Sequence, residues 1–331
     1  MQLPKEALIE IYRTMRTIRS FEDKLNELSQ AGQIPGFLHL YAGEEAVAAG
    51  VCAHLDERDW VTSTHRGHGH CIAKGVDLAA MMAELFGRAS GTCKGKGGSM
   101  HIADVGKGML GANGIVGGGI PLAVGAALTA RNRGTGGVAV SFFGDGASNE
   151  GTFHESLNLA SIYKLPVVFV AENNGYGEAT PHEYASSVTD VATRAVAYDM
   201  PGVVCDGMDV FDVFAKAGKA LARARGGQGP TLLECKTYRY YGHYVGDPLT
   251  YRSAAEADEV RAENDPLVRL EQRVVEENLL AEDELRKVDG RVEERIEQAV
   301  AAAQEAPQPE ATELHADVYV SYQTSRAGDP R

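Results

Sequence analysis

Polar residues follow two apolar segments of the chain, at the points where each segment ends. Asp145 stands between two glycines after the apolar residues 138–143, and Asn174 follows the apolar run that begins at 165. If both segments are parallel strands, their carboxyl ends lie at the sheet edge where α/β folds bind ligands. A carboxylate oxygen beside an amide oxygen suits a hard cation such as Mg²⁺, which also holds phosphate oxygens. Each motif alone more often closes a turn, but the helix and strand that fit between them make that interpretation of the pair improbable.

The segments around these residues predict the elements that position them. Apolar runs at 138–143 and 165–173 flank a helical pattern at 153–163, which together predict a parallel strand–helix–strand unit. A second helical pattern at 210–224 leads to a third predicted strand at 231–240. We therefore predict an α/β fold with a buried parallel sheet flanked by helices.

Helical extensions are predicted at both ends of the chain. Apolar residues recur at near-helical spacing over residues 5–30 and again over residues 285–300, where the second series stops before a pair of prolines. We predict one domain over residues 1–331, with helical extensions at about 1–35 and 265–331.

The composition argues against several classes of partner and location. The chain has 331 residues and a formal net charge of -14, which would repel nucleic acid and anionic membranes. No apolar run approaches the roughly 18 residues of a membrane helix, and the start of the chain lacks a signal-peptide pattern. The five cysteines are widely spaced without a CxxC pair, which argues against a disulfide framework or a cysteine zinc site. These features predict a cytoplasmic protein.

The motifs and their surroundings resemble a known family. GDGASNEG at 144–151 and VFVAENNGYG at 168–177 look like the thiamine diphosphate motif of alpha subunits in 2-oxo acid and acetoin dehydrogenase complexes. The resemblance extends from FLHLYAGEEA at 37–46, through NGIVGGGIPLAVGAA at 113–127, to YGHYVGDPLTYR at 241–252. It implies the thiamine diphosphate-binding fold, with thiamine diphosphate and Mg²⁺ as cofactors.

Carried over residue by residue, the resemblance assigns roles in cofactor binding. The residues implied to bind the cofactor or its metal are His65, Arg66, Gly114, Val116, Asp145, Gly146, Ala147, Asn174, Tyr176 and His243. Of these, Asp145, Asn174 and the main-chain carbonyl of Tyr176 are implied to ligate Mg²⁺. Arg66 is implied to bind the diphosphate, for which a guanidinium is well shaped. The loop that contains Val116 is implied to hold the cofactor in a bent conformation.

Histidines in polar, glycine-rich segments are the candidates for proton transfer. A neutral imidazole can accept or donate a proton near physiological pH, which cleavage chemistry on thiamine diphosphate needs more than once. The resemblance implies catalytic roles for His68, near the reacting centre, and for His243, on a loop beside the diphosphate. His39 is a third candidate, although a structural histidine would look the same. The spacing of His65, His68 and His70 would also suit a zinc cluster, but no nearby cysteine or carboxylate completes a tetrahedral set.

The resemblance also implies partner chains. Activation of the cofactor requires a glutamate that, in this family, comes from a separate beta subunit, and no second cofactor-holding domain is apparent in the sequence. We therefore expect an alpha2beta2 heterotetramer that passes a two-carbon unit to the lipoyl group of an acyltransferase core or to a dye acceptor. Without its beta subunit the chain is expected to be inactive.

Acetoin is the favoured substrate, with pyruvate or a branched-chain 2-oxo acid as the alternative. Acetoin and pyruvate leave the same two-carbon unit, so residues at the edge of the site must discriminate between them. Pyruvate-type relatives usually have tyrosine where this chain has His65, and serine where it has Tyr244. The missing serine also predicts that serine kinases do not control this loop. Two functions from other classes stay open: a magnesium-dependent phosphohydrolase that uses Asp145, and a thiamine diphosphate-binding module without catalysis.

Overall fold

The computed structural model describes residues 3–317 and contains a parallel sheet with helices on both faces. The helices are α1 (Lys5–Gln30), α2 (Glu45–Cys52), α3 (His68–Ala73), α4 (Leu78–Leu85), α5 (Gly119–Arg133), α6 (Gly151–Ile162), α7 (His182–Ala185), α8 (Val210–Arg225), α9 (Ala254–Asn264), α10 (Pro266–Glu276) and α11 (Glu282–Glu305). The strands are β1 (Trp60–Thr62), β2 (Met109–Gly111), β3 (Ala139–Gly144), β4 (Val167–Asn173), β5 (Tyr176–Gly177), β6 (Thr180–Pro181), β7 (Gly202–Asp206) and β8 (Thr231–Lys236). Short 3₁₀ helices lie at Ser99–His101, Val105–Lys107, Gly146–Asn149, Val191–Tyr198 and Ala311–His315.

Six strands form the central sheet in the order β2-β1-β3-β4-β8-β7, and all neighbouring pairs are parallel. The predicted strands at 138–143 and 165–173 are β3 and β4, and the helical pattern between them is α6. β5 and β6 form a separate antiparallel pair. The predicted α/β fold with a parallel sheet flanked by helices is therefore confirmed.

Side chains of the central strands alternate between two apolar cores, one on each face of the sheet. In β3, Val140 and Phe142 belong to the core that includes the N- and C-terminal helices, whereas Phe143 belongs to the core with α5 and α6. β4 alternates in the same way, and its residues 167–171 form a continuous apolar run, as expected of a strand that is buried on both faces. The burial of both faces leaves the carboxyl ends of these strands as the place where polar side chains can gather.

The terminal helices pack against each other and against the start of α2. The Tyr12 hydroxyl of α1 donates to Asp289 of α11 over 2.7 Å, and Arg19 forms buried ion pairs with Glu45 at 2.6 Å and Asp265 at 2.8 Å. Helices are thus present where both extensions were predicted, as α1 and as α10 with α11. The last part of the predicted C-terminal extension, 318–331, lies outside the described residues. The division of the chain into a single domain stays a prediction.

Three strands of the sheet were not predicted, and one predicted strand is too long. β1 and β2 have three residues each, too few for a periodic pattern, and β7 is a largely exposed edge strand. The strand predicted at 231–240 ends at Lys236, because its neighbour β4 ends at Asn173. Beyond that point the chain leaves the sheet, and the main-chain N–H of Tyr240 donates to the carbonyl of Ala42 over 3.0 Å.

The five cysteines are free thiols, in agreement with the absence of a disulfide framework. Cys205 and Cys235 lie in register on β7 and β8, with their sulfur atoms 3.1 Å apart. Within residues 3–317, no helix has both the length and the apolar character that crossing a bilayer requires.

Candidate active site

A cavity of about 370 Å³ lies at the carboxyl edge of the sheet. Four neighbouring strands end beside it: Arg66 follows β1, Asp145 follows β3, Asn174 follows β4 and Arg239 follows β8. Because neighbouring parallel strands end at one edge, residues that are far apart in sequence meet here. A cavity of this volume can hold a small-molecule ligand or cofactor.

All but one of the site residues expected from the sequence line this cavity. They are His39, His65, Arg66, Gly114, Val116, Asp145, Gly146, Ala147, Asn174, Tyr176 and His243. The exception is His68, whose imidazole is fully buried on α3. Its Nδ1 lies 3.0 Å from the carboxylate of Glu22 and its Nε2 lies 2.9 Å from the hydroxyl of Ser99. The structure therefore does not bring His68 to the cavity, and this geometry gives no support to its predicted catalytic role.

Three residues with oxygen atoms that suit a hard cation line the cavity: Asp145, Asn174 and Tyr176. The carboxylate of Asp145 is buried, and His182 lies 3.6 Å from it. The amide nitrogen of Asn174 donates to Glu44 over 2.7 Å, and its amide oxygen accepts a hydrogen bond from the main-chain N–H of Tyr176 over 3.4 Å, so the side chain is fixed at both ends. A carboxylate, an amide oxygen and a main-chain carbonyl are ligands that Mg²⁺ prefers over nitrogen or sulfur. The residues expected from the sequence therefore fit a magnesium ion.

A donor for a diphosphate, Arg66, lines the same cavity. Burial lowers the pKa of Arg66 to about 10, so its guanidinium stays protonated at neutral pH. The guanidinium donates to the carbonyl of Leu40 over 2.6 Å and to that of His243 over 2.9 Å. Since a guanidinium has five N–H donors, these bonds orient it and leave others for an anion. A Cβ on Gly144 would meet nothing within 4 Å, so the chain leaves space at this position.

Three histidines from separate segments face one another in the cavity. The ring centroids of His39 and His65 lie 4.7 Å apart, and the ring of His243 lies 5.1 Å and 5.2 Å from them. Burial, reinforced by the charge of Arg66, lowers the pKa of His39 to about 3, of His65 to about 2 and of His243 to about 4. The three imidazoles are therefore neutral at physiological pH and offer both donors and acceptors.

The zinc cluster considered for His65, His68 and His70 is not formed. His65 faces the cavity, whereas His68 and His70 lie two residues apart on α3 and so point in different directions. The imidazole of His70 is buried between the hydroxyl of Ser63, at 2.7 Å, and the carboxylate of Glu172, at 3.0 Å. The three side chains have separate partners, and the zinc alternative based on their spacing is wrong.

Four charged residues of the cavity were missed by reasoning from the sequence: Glu44, Glu172, Glu178 and Arg239. Burial, followed by the nearby carboxylate of Glu172, raises the pKa of Glu44 to about 8. Arg239 donates to the main-chain carbonyl of Tyr176 over 3.2 Å and to that of Glu178 over 2.8 Å. Glu172 could have been found as a charge inside an apolar strand, whereas the segments of Glu44 and Arg239 carry no such signal.

Known proteins are similar in sequence to this chain over almost its whole length. Residues 13–312 match the family model described as the dehydrogenase E1 component, and the chain belongs to this family. It is 58% identical, over 323 residues, to the alpha subunit of acetoin:2,6-dichlorophenolindophenol oxidoreductase from Bacillus subtilis, with 98% of this chain and 96% of that protein covered. The alpha subunit of the same name from Cupriavidus necator is 54% identical over 322 residues, with 97% of each chain covered. The alpha subunit of the pyruvate dehydrogenase E1 component from Rhizobium meliloti is 42% identical over 317 residues, with 96% of this chain and 91% of that protein covered.

Membership of this family confirms the class of protein that the motifs indicated. The chain is the alpha subunit of a dehydrogenase E1 component, an oxidoreductase that uses thiamine diphosphate. An alpha subunit of this kind works with a beta subunit in a multienzyme complex.

Proposed function

We propose that this chain, paired with its beta subunit, cleaves acetoin and passes the resulting two-carbon unit to the lipoyl group of an acyltransferase core or to a dye acceptor. The observation that carries this proposal is the group of three neutral imidazoles that faces the cavity. Acetoin is uncharged and carries a hydroxyl and a carbonyl, so it needs hydrogen-bond partners and no counter-charge. The names of the two relatives above 50% identity support the same substrate.

The side chains around the cavity suggest which parts of the reaction the cofactor and the protein would each perform. Thiamine diphosphate, when bound, would supply the electron sink for the broken carbon–carbon bond. Among residues 3–317, Nδ1 of His39 and Nδ1 of His243 are buried without a hydrogen-bond partner, so both nitrogens are free to contact a substrate hydroxyl. The guanidinium of Arg239 is held by main-chain carbonyls and positions the loop that follows β4.

We propose that the metal is Mg²⁺, held by Asp145, Asn174 and the carbonyl of Tyr176. The test is calorimetric binding of thiamine diphosphate with and without Mg²⁺. Asp145→Ala should abolish the Mg²⁺-dependent part of the affinity, since the charged ligand is lost, and Asn174→Ala should reduce it. Asp283→Ala, an exposed carboxylate on α11, is the control. Unchanged affinity after Asp145→Ala would contradict the metal assignment.

We propose that the beta subunit covers the exposed apolar face of α5 and α6, in an alpha2beta2 assembly. Leu122 on α5 is 53% exposed and Ile162 on α6 is 66% exposed. A Cβ on Gly125 would meet nothing within 4 Å, so this part of α5 allows close approach of another chain. Val116 is half exposed and lines the cavity, so a chain that covers both this face and Val116 would also complete the site. Interfaces of permanent complexes are large and apolar.

The substrate is tested by the ratio of kcat/KM for acetoin to that for pyruvate, measured on the reconstituted pair with a dye acceptor. We expect the ratio to favour acetoin, and we expect His65→Tyr to shift it towards pyruvate. His315→Asn, an exposed histidine outside the cavity, serves as the control. A clear preference of the unmodified pair for pyruvate or a branched-chain 2-oxo acid would overturn the acetoin assignment. The phosphohydrolase alternative predicts phosphate release that does not depend on thiamine diphosphate.

A further inference from the structure

The histidine cluster, defined by His39, His65 and His243, has the arrangement of a ligand set for nitrogen-binding metals. One ring nitrogen from each residue lies within 4.8 Å of the other two. The three residues reach the cavity from separate segments, ahead of α2, after β1 and after β8. His39 is 8% exposed, and in the part of the chain that the structure describes its Nδ1 and that of His243 have no hydrogen-bond partner. Buried lone pairs that face one another without partners favour a ligand that can bind all three.

We propose that the histidine cluster binds a late first-row transition-metal ion such as Zn²⁺, at a site separate from the oxygen atoms of Asp145 and Asn174. Imidazole nitrogen suits Zn²⁺, Co²⁺, Ni²⁺ and Cu²⁺, whereas Mg²⁺ takes oxygen ligands, so the two sites of one cavity select different ions. Nitrogens that share a tetrahedral Zn²⁺ lie roughly 3.3 Å apart, which small rotations of the three rings would provide. Three protein ligands leave the fourth position of the ion open to water or a small ligand.

Charged groups of both signs lie near the histidine cluster. Arg66 donates to the main-chain carbonyl of His243 and, together with Arg239, opposes a bound cation. Two acidic residues line the same cavity, but the raised pKa of Glu44, about 8, keeps it largely protonated at neutral pH, so Glu172 alone offsets part of this charge. A bound ion must therefore draw its affinity from the imidazole nitrogens.

The ion would inhibit the enzyme. It would occupy the lone pairs that the substrate hydroxyl is proposed to contact, and it would fill the space between the rings. The binding step itself does not depend on which substrate the enzyme takes. It is measured without turnover, so failure of this proposal and failure of the proposed function are distinguishable.

The test uses Co²⁺ as a spectroscopic probe of the full-length chain in excess Mg²⁺. We expect one Co²⁺ per chain with the visible absorption of a tetrahedral site, lost on addition of Zn²⁺ or EDTA. His39→Asn, His65→Asn and His243→Asn should each weaken binding by more than the roughly 10–100-fold that loss of an outer-shell partner costs. His315→Asn, exposed on the last 3₁₀ helix, should leave binding unchanged, and so should Asp145→Ala.

Several outcomes would overturn the proposal. These are the absence of a tetrahedral cobalt spectrum, a spectrum that survives all three cluster substitutions, and a spectrum that disappears in Asp145→Ala, which would place the ion at the oxygen site. Because the three substitutions are independent, a variant that does not fold leaves two others to decide. On the alpha–beta pair with saturating Mg²⁺, Zn²⁺ should lower turnover until a chelator is added, and the loss should be greatest at low thiamine diphosphate, because His65 and His243 are also expected to bind that cofactor. Tight Zn²⁺ binding with unchanged turnover would contradict the inhibitory role.

Discussion

The side-chain amide of Asn174 donates a hydrogen bond to Glu44 over 2.7 Å and thereby joins the end of β4 to the start of α2. Both residues are buried and both line the cavity. The bond fixes the amide so that its oxygen, and not its nitrogen, is available to a cation. Glu44 therefore acts as a positioning residue for the proposed Mg²⁺ ligand.

Removal of this acceptor should weaken Mg²⁺-dependent binding of thiamine diphosphate. Glu44→Ala leaves the buried amide N–H of Asn174 without its acceptor, at a cost of about 1–3 kcal/mol, which corresponds to roughly fivefold to hundredfold in affinity. Glu44→Gln keeps an acceptor oxygen and should remain close to the unmodified chain. Calorimetry on both variants measures the difference, and equal affinities for the Ala and Gln variants would show that the bond does not position Asn174.

Acid should destabilise the chain through the histidine cluster. Burial, followed by the charge of Arg66, lowers the folded-state pKa of His39, His65 and His243 from 6.5 to about 3, 2 and 4. Below pH 6.5 the unfolded chain therefore binds protons that the folded chain does not. The contribution to stability is fully present above pH 6.5 and is lost as the pH falls towards 4, by at most about 1.4 kcal/mol per pH unit for each histidine.

Scanning calorimetry at pH values between roughly 4.5 and 7.5, which cover most of the range in which stability is lost, measures this dependence as a fall in Tm with falling pH. His65→Gln should flatten the acid limb, because the substituted side chain cannot take up a proton. His315→Gln, exposed on the last 3₁₀ helix, should follow the unmodified chain. Identical acid limbs for all three proteins would show that the cluster does not control acid stability.

Assembly with the beta subunit should depend on the exposed apolar face of α5 and α6. Leu122→Asp and Ile162→Asp place a charge on side chains that are 53% and 66% exposed in the chain by itself. Both variants should fold normally but fail to form the complex, as measured by analytical ultracentrifugation of mixtures with the beta chain. Val268→Asp provides a matched control, because Val268 is an apolar residue on α10 that is likewise 43% exposed. Normal assembly of both the α5 variant and the α6 variant would show that the interface lies elsewhere on the chain.

Serine kinases should not regulate the loop that carries His243. Tyr244 follows the histidine, and its ring packs edge-on against Phe37 with centroids 5.7 Å apart. The nearest serine, Ser253, caps α9 by accepting a hydrogen bond from the main-chain nitrogen of Glu256 over 3.1 Å. Mass spectrometry of the chain isolated from growing cells should find no phosphoserine here, and phosphorylated Ser253 that changes turnover would contradict this expectation.

The oxygen side of the site was predictable because its residues stand at visible ends of apolar segments. Asp145 and Asn174 close the two most apolar runs, and parallel strands bring such ends together. The bond from Asn174 to Glu44 was not predictable, since it joins residues 130 positions apart and depends on how α2 packs against the sheet. Spacing alone was misleading for His65 and His68. They are close in sequence, but the start of α3 turns one towards the cavity and the other into the core.

The contact between α1 and α11 has a consequence for synthesis of the chain. The apolar side of α1, with Leu8, Ile11 and Met15, is buried in the same core as α11, which begins roughly 250 residues later. At about 5–20 residues per second, a ribosome needs roughly 12–50 s to make the intervening segment. Throughout that interval the first helix of the nascent chain lacks its final partner and presents an apolar stripe to other molecules. Chaperones that hold apolar helices, and the rate of translation itself, should therefore affect how much of this subunit reaches its folded form.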